Sequence, residues 1–135
     1  MKTLHFQPIK DRADEIIRAV VSTEEVSTCE KELFALRLVC DELIVNVVSY
    51  AYPEGADGYL DVEIEKTPQE ITIRFKDGGK PFNPLENKMP DIDAPLEERQ
   101  IGGLGIFLTI KQMDSVTYQY ANNENVLTVK KTITK

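Results

Sequence analysis

An α+β domain, with an antiparallel or mixed sheet covered on one face by helices, is the fold class that the sequence predicts. Two pairs of stretches alternate apolar and polar residues with period two: YLDVEIEK answered by ITIRFKD, and SVTYQYAN answered by NVLTVKKTIT. Two stretches nearer the start carry apolar residues at helical spacing instead. The order strand, two helices, two strands, loop, helix, two strands sets hairpins beside helices and favours a layered sheet with helices on one side.

Element by element, TLHFQPI alternates as a short strand, and Pro8 places it near a sheet edge. Asp11 resembles an N-cap for a helix running to about Val21, with Ile16, Ile17, Val20 and Val21 as its apolar stripe. A second helix is expected from Ser27 or Thr28 to about Tyr52, where Pro53 stops it. PEGADG is a turn cluster, after which YLDVEIEK and ITIRFKD form a hairpin around TPQE. Gly78 to Ile101 is a long irregular stretch rich in Pro, Asp and Glu, a length that compact domains keep for function. GLGIFLTIKQMD reads as a third helix and the last two strands as a second hairpin.

The 135 residues fit one domain, 1–135, with 41% hydrophobic and 29% charged residues as in soluble globular proteins. No apolar run approaches the ~20 residues that span a bilayer. The opening MKTLHFQPIKDRADE lacks the features of a secretory signal, so a cytoplasmic protein is expected. Cys29 and Cys40 sit in no metal-ligand spacing and read as reduced, packed thiols. A net charge of -7 excludes a general electrostatic grip on nucleic acid, and the basic KKTITK reads as a solvated last strand.

Chemistry enters in DELIVNVVSYAYP. Leu33, Leu36, Cys40, Leu43, Ile44, Val47 and Ala51 cluster on one side of the second helix, while Glu42 and Asn46 share another face with Ser49 close by. A solvated polar edge satisfies this pattern. So does a cleft, in which the carboxylate accepts a proton and the carboxamide oxygen ligates a hard cation. In FKDGGKPFNP, Asp77 ends a strand and Gly78 and Gly79 allow a tight turn; turn chemistry explains the motif, and so does a carboxylate accepting a ligand amine. IGGLGIFL starts a helix with three glycines, which suits phosphate oxygens at unpaired N–H groups as well as close packing. Its spacing is neither that of a dinucleotide fingerprint nor that of a P-loop.

Together, ELIVN, DGGKPFNP and GGLGIFL, in this order and separation, closely resemble the three nucleotide-binding boxes of the GHKL ATPase superfamily, nearest to its anti-sigma-factor serine/threonine kinase branch. The similarity spans nearly the whole chain. It implies a two-layer α/β sandwich of Bergerat type, with a mixed, mostly antiparallel sheet and helices on one face. It implies ATP and Mg²⁺ as cofactors, with Asn46 as the metal ligand and Glu42 as the general base. Asp77 would bind the adenine amine, Gly79 would give close approach to the base, and Gly102, Gly103, Leu104 and Gly105 would line the phosphate path. An ATP lid would cover about 83–101, and Arg99 is the candidate for a contact to the terminal phosphate. Tyr50 departs from the family, which often has His there.

The function so implied is an ATP- and Mg²⁺-dependent serine/threonine kinase. It would phosphorylate an anti-anti-sigma (STAS-domain) protein and sequester a sigma factor, working as a homodimer with no direct contact to nucleic acid or membrane. A nucleotide-dependent binding module without phosphotransfer is the alternative, and the presence of Glu42 favours the enzyme. A scaffold that has lost nucleotide binding is disfavoured because all three boxes survive. The larger GHKL relatives append transducer domains for which there is no room. The sole histidine, His5, lies in a predicted strand rather than a phosphoacceptor hairpin.

Overall fold

A computed structural model describes residues 1–8, 12–52, 58–81, 83 and 111–134, with the backbone alone at 49 and 50. Five strands, β1 (Lys2–Phe6), β2 (Leu60–Lys66), β3 (Glu70–Asp77), β4 (Ser115–Ala121) and β5 (Glu124–Thr132), form one sheet in the order β1-β2-β3-β5-β4. Among the described residues all four pairings are antiparallel, so the antiparallel arrangement is the one realised there, without the parallel pairing of a mixed sheet. β1 is an edge strand, as Pro8 predicts.

Both hairpins lie where the period-two pattern puts them. Thr67 closes the first: its N–H donates to the Glu70 carbonyl at 2.8 Å, and its Oγ1 accepts from the N–H groups of Gln69 and Glu70. The second turns on Asn122 and Asn123, both at positive φ (54° and 63°), the backbone of a two-residue hairpin loop that asparagine tolerates.

Register sorts the strands into two faces. Leu4, Val62, Phe75, Leu127 and Tyr118 form one cross-strand row, and Ile64, Ile73, Val129 and Val116 form the next, all on the face that meets the helices. The opposite face carries Glu63 between Arg74 (3.6 Å) and Lys76 (3.1 Å), and His5, which bonds Asp61 through Nδ1 and stacks on Tyr59.

The helical layer comprises α1 (Ala13–Val21), α2 (Glu24–Ser27) and α3 (Leu33–Asn46). α1 buries Ile16, Ile17 and Val20 against α3, and its charges suit the helix dipole, with Asp14 and Glu15 in the first turn and Arg18 in the last. Its N-cap is Arg12, without a side-chain cap; Asp11 lies outside the described residues.

The second helix departs from expectation. Thr23 caps the short α2 by accepting from the Val26 N–H, the chain breaks at 28–32, and α3 begins at Leu33, not at Ser27 or Thr28. At the end of the break the buried Glu32 accepts from the N–H and the Oγ1 of Thr134 at 3.2 Å each, a contact 102 residues away in sequence. Val39 and Ala35 join the expected core positions of α3. Beyond Asn46 the helix widens into a π-helical turn, Val47–Ala51, and the backbone becomes extended at Tyr52. Of the expected third helix, Lys111 and Gln112 are described and helical, and Met113 is buried in the core.

Cys29 and Cys40 are free and buried, and burial pushes the Cys40 thiol up to about 12, which leaves it inert. No helix among the described residues is long and apolar enough to cross a membrane.

Candidate nucleotide site

At one end of the helix-facing side, Phe6, Leu60, Asp77, Asn125 and Tyr120 stand in register across all five strands. Asp77 and Asn125 are each 6% exposed, so two polar side chains are buried side by side where the neighbouring rows are apolar. Such groups need partners. Asp77 Oδ1 accepts from the Gly79 N–H at 3.0 Å and from Asn125 Nδ2 at 3.0 Å. Both bonds fall on one oxygen. Burial raises the Asp77 pKa most and Glu124 adds to it; the two hydrogen bonds hold it down.

The turn after Asp77 is locked to the end of the α3 segment. A Cβ on Gly79 would lie 2.2 Å from the Ala51 carbonyl oxygen, so only glycine fits against that backbone. The Tyr52 hydroxyl accepts from the N–H groups of Gly78 (2.7 Å) and Tyr59 (3.1 Å) and donates to the Tyr59 carbonyl (2.8 Å). Tyr59 in turn donates to Glu124 at 2.6 Å. The D-G-G turn, the start of β2 and the end of the π-helical turn are thereby held as one unit.

Glu42 and Asn46 lie on α3, both half-buried. Burial raises the Glu42 pKa, with the neighbouring Asp41 charge adding to the shift, which makes its carboxylate a stronger base. Asn46 Nδ2 is buried without a hydrogen-bond partner among the described residues. A buried donor left unpaired costs about 1–3 kcal/mol. The α3 segment thus presents a half-buried carboxylate and an amide nitrogen without a partner among the described residues, and the π-helical turn that follows packs on Gly79, two residues beyond Asp77. No cluster of three or more His, Cys, Asp or Glu that could hold a metal occurs among the described residues.

Of the residues that sequence singles out, Glu42, Asn46, Asp77 and Gly79 are therefore described. Arg99, Gly102, Gly103, Leu104 and Gly105 lie outside the described residues, as do the side chains of Ser49 and Tyr50 and, apart from Asn83, the segment 83–101. Asn125 and Tyr52 escaped sequence reasoning. Asn125 sits in YANNEN, where asparagines read as turn formers, and Tyr52 reads as the last residue before a helix-stopping proline.

A family model of the histidine kinase-like ATPase domain matches residues 6–131. The chain belongs to this family. Its curated relatives include the serine/threonine-protein kinase BtrW of Bordetella bronchiseptica, 29% identical over 96 residues, 71% of this chain and 68% of that protein. The serine-protein kinase RsbW of Listeria monocytogenes is 30% identical over 99 residues, covering 70% of this chain and 63% of that protein. RsbW of Halalkalibacterium halodurans is 25% identical over 113 residues. The matches thus span about two thirds of the length of the first of these relatives. Membership of an ATPase domain family and kinship to kinases imply ATP use, in agreement with the GHKL resemblance of the three boxes.

Proposed function

We propose that this chain is an ATP- and Mg²⁺-dependent serine/threonine protein kinase of anti-sigma-factor type. The observation that carries the reading is a pair of buried polar groups: Asp77, whose two hydrogen bonds among the described residues both fall on Oδ1, and Asn46, with a buried amide nitrogen lacking a partner among the described residues. ATP completes both. The adenine amine would donate to Asp77 Oδ2, a phosphate oxygen would accept from the Asn46 amide nitrogen, and the amide oxygen would ligate the cation. One protein ligand suffices for Mg²⁺, which takes its other positions from water and phosphate. The ion would spread the negative charge that develops on the phosphates during transfer.

Glu42 then has a defined task. It accepts the proton of the attacking serine hydroxyl as that oxygen bonds to the γ-phosphorus and the bond to the β,γ-bridging oxygen breaks, its electrons leaving with ADP. Gly102, Gly103, Leu104 and Gly105 line the phosphates, Arg99 meets the terminal phosphate, and 83–101 covers the nucleotide within a single domain. The substrate is an anti-anti-sigma (STAS-domain) protein in the cytoplasm. A homodimer of this chain binds either that protein or a sigma factor, and phosphorylation shifts the balance by weakening one complex.

The test is calorimetric titration of ATP with Mg²⁺ into the chain, followed by transfer of labelled γ-phosphate to a STAS-domain protein. Binding and transfer in the wild type, with binding retained and transfer lost in Glu42→Ala, support the kinase. Binding without any transfer to serine leaves a nucleotide-dependent binding module, and absence of binding at millimolar ATP overturns the assignment.

A further inference from the structure

We propose that Asn125 is a positioning residue for nucleobase recognition, committing one oxygen of Asp77 to the protein so that the other selects a base with an exocyclic amine. The proposal rests on the reading of Asp77 as the adenine ligand and deepens it.

Asn125 is buried at the first paired end of β5, directly opposite Asp77. Its Nδ2 lies 3.0 Å from Asp77 Oδ1, 2.9 Å from the Lys80 carbonyl and 3.4 Å from the Gly79 carbonyl, while its Oδ1 accepts from the Tyr118 hydroxyl. The nitrogen faces three acceptors and the oxygen faces a donor, which fixes the orientation of the amide. No other small side chain does the same work: a hydroxyl has one proton to give, and a carboxylate would set a charge against three oxygens. One side chain thus ties the Asp77 carboxylate to the backbone of the turn that follows it and, through Tyr118, to β4.

The consequence is chemical selection. An ionised carboxylate only accepts, so it takes the 6-amine of adenine and rejects the 6-oxo group of hypoxanthine or guanine; a protonated one can donate to that oxo group. Keeping Asp77 ionised in a buried place requires donors. The titratable groups that face it among the described residues are Glu124 of β5, which raises its pKa, and Tyr52 beyond the π-helical turn. Tyr118 of β4 acts through Asn125, and Lys80 presents its carbonyl. Against burial and Glu124 stand the Gly79 N–H and the Asn125 amide, so losing Asn125 moves the carboxyl toward protonation.

The experiment measures binding of ATP and ITP, with Mg²⁺, to the full chain across the acidic to neutral range, with thermal melts alongside. For Asn125→Ala we expect ATP affinity about tenfold weaker at neutral pH. We also expect a smaller preference for ATP over ITP, and an acid limb of ATP binding displaced to higher pH. Asn125→Ser, which keeps one donor, should shift all three readouts the same way by less, and serves if the alanine variant fails to fold. A folded variant with the affinity, preference and pH profile of the wild type overturns this proposal alone. Failure of the wild type to bind ATP overturns it together with the adenine reading.

Discussion

Two adjacent rows of the same sheet face differ sharply. Leu4, Val62, Phe75, Leu127 and Tyr118 run across the middle, and Phe6, Leu60, Asp77, Asn125 and Tyr120 run across one end. They are two residues apart along each strand, about 7 Å, and Phe75 and Asp77 are almost equally buried. In the middle row burial itself stabilises the molecule. In the end row it is tolerated because hydrogen bonds offset desolvation, and among the described residues those bonds fall on Asp77 Oδ1. Depth alone does not separate core from site here; chemistry at equal depth does.

The largest effects should fall separately on the two roles. Phe75→Ala should lower unfolding free energy by about 3–5 kcal/mol in denaturant titration. Glu42→Gln should leave stability nearly unchanged and reduce phosphate transfer by about 10²- to 10⁴-fold. Because burial and Asp41 raise its pKa, and only the ionised form accepts a proton, transfer should fall on acidification through a range above the usual carboxylate value. Asp41→Asn should move that range down.

Asp77→Asn divides the roles within one residue. Asparagine keeps an acceptor at Oδ1 but opposes the adenine amine with its own, so ATP affinity should drop by about tenfold to a hundredfold. Stability should respond in the opposite sense. The folded pKa of Asp77 is raised, so its contribution is fully present below the ordinary carboxylate value and is lost as pH rises through the raised one. The asparagine variant should lack that decline, and melting curves across this range would show it. The smallest effect belongs to the solvent face, where Glu63→Gln, despite Arg74 and Lys76 beside it, should change stability by about 0–1 kcal/mol.

Sequence made the sheet legible because period-two patterning is local: both hairpins and the edge position of β1 follow from residues within a few positions of each other. The start of α3 was not legible. Val26 and Cys29 continue an apolar spacing without glycine or proline, and the Glu32–Thr134 contact beside the interruption joins residues 102 apart in sequence. The same limit applies to the site. Glu42, Asn46 and Asp77 stand in stretches whose resemblance to the family's boxes singles them out, whereas Asn125 meets Asp77 only when β5 pairs with β3.

That pairing bears on when the site comes into being. Glu42, Asn46 and Asp77 are all synthesised well before residue 125, yet the amide that restrains Asp77 arrives on β5, whose distal end is followed by Thr134 bonding back to Glu32. A growing chain still lacking β5 carries these three residues without the strand that pairs with β3 and the amide that bonds Asp77. The pairing that closes the sheet therefore also completes the hydrogen-bonded surroundings of Asp77, and in the kinase proposed above the base-binding carboxylate is fully set only once β5 has docked.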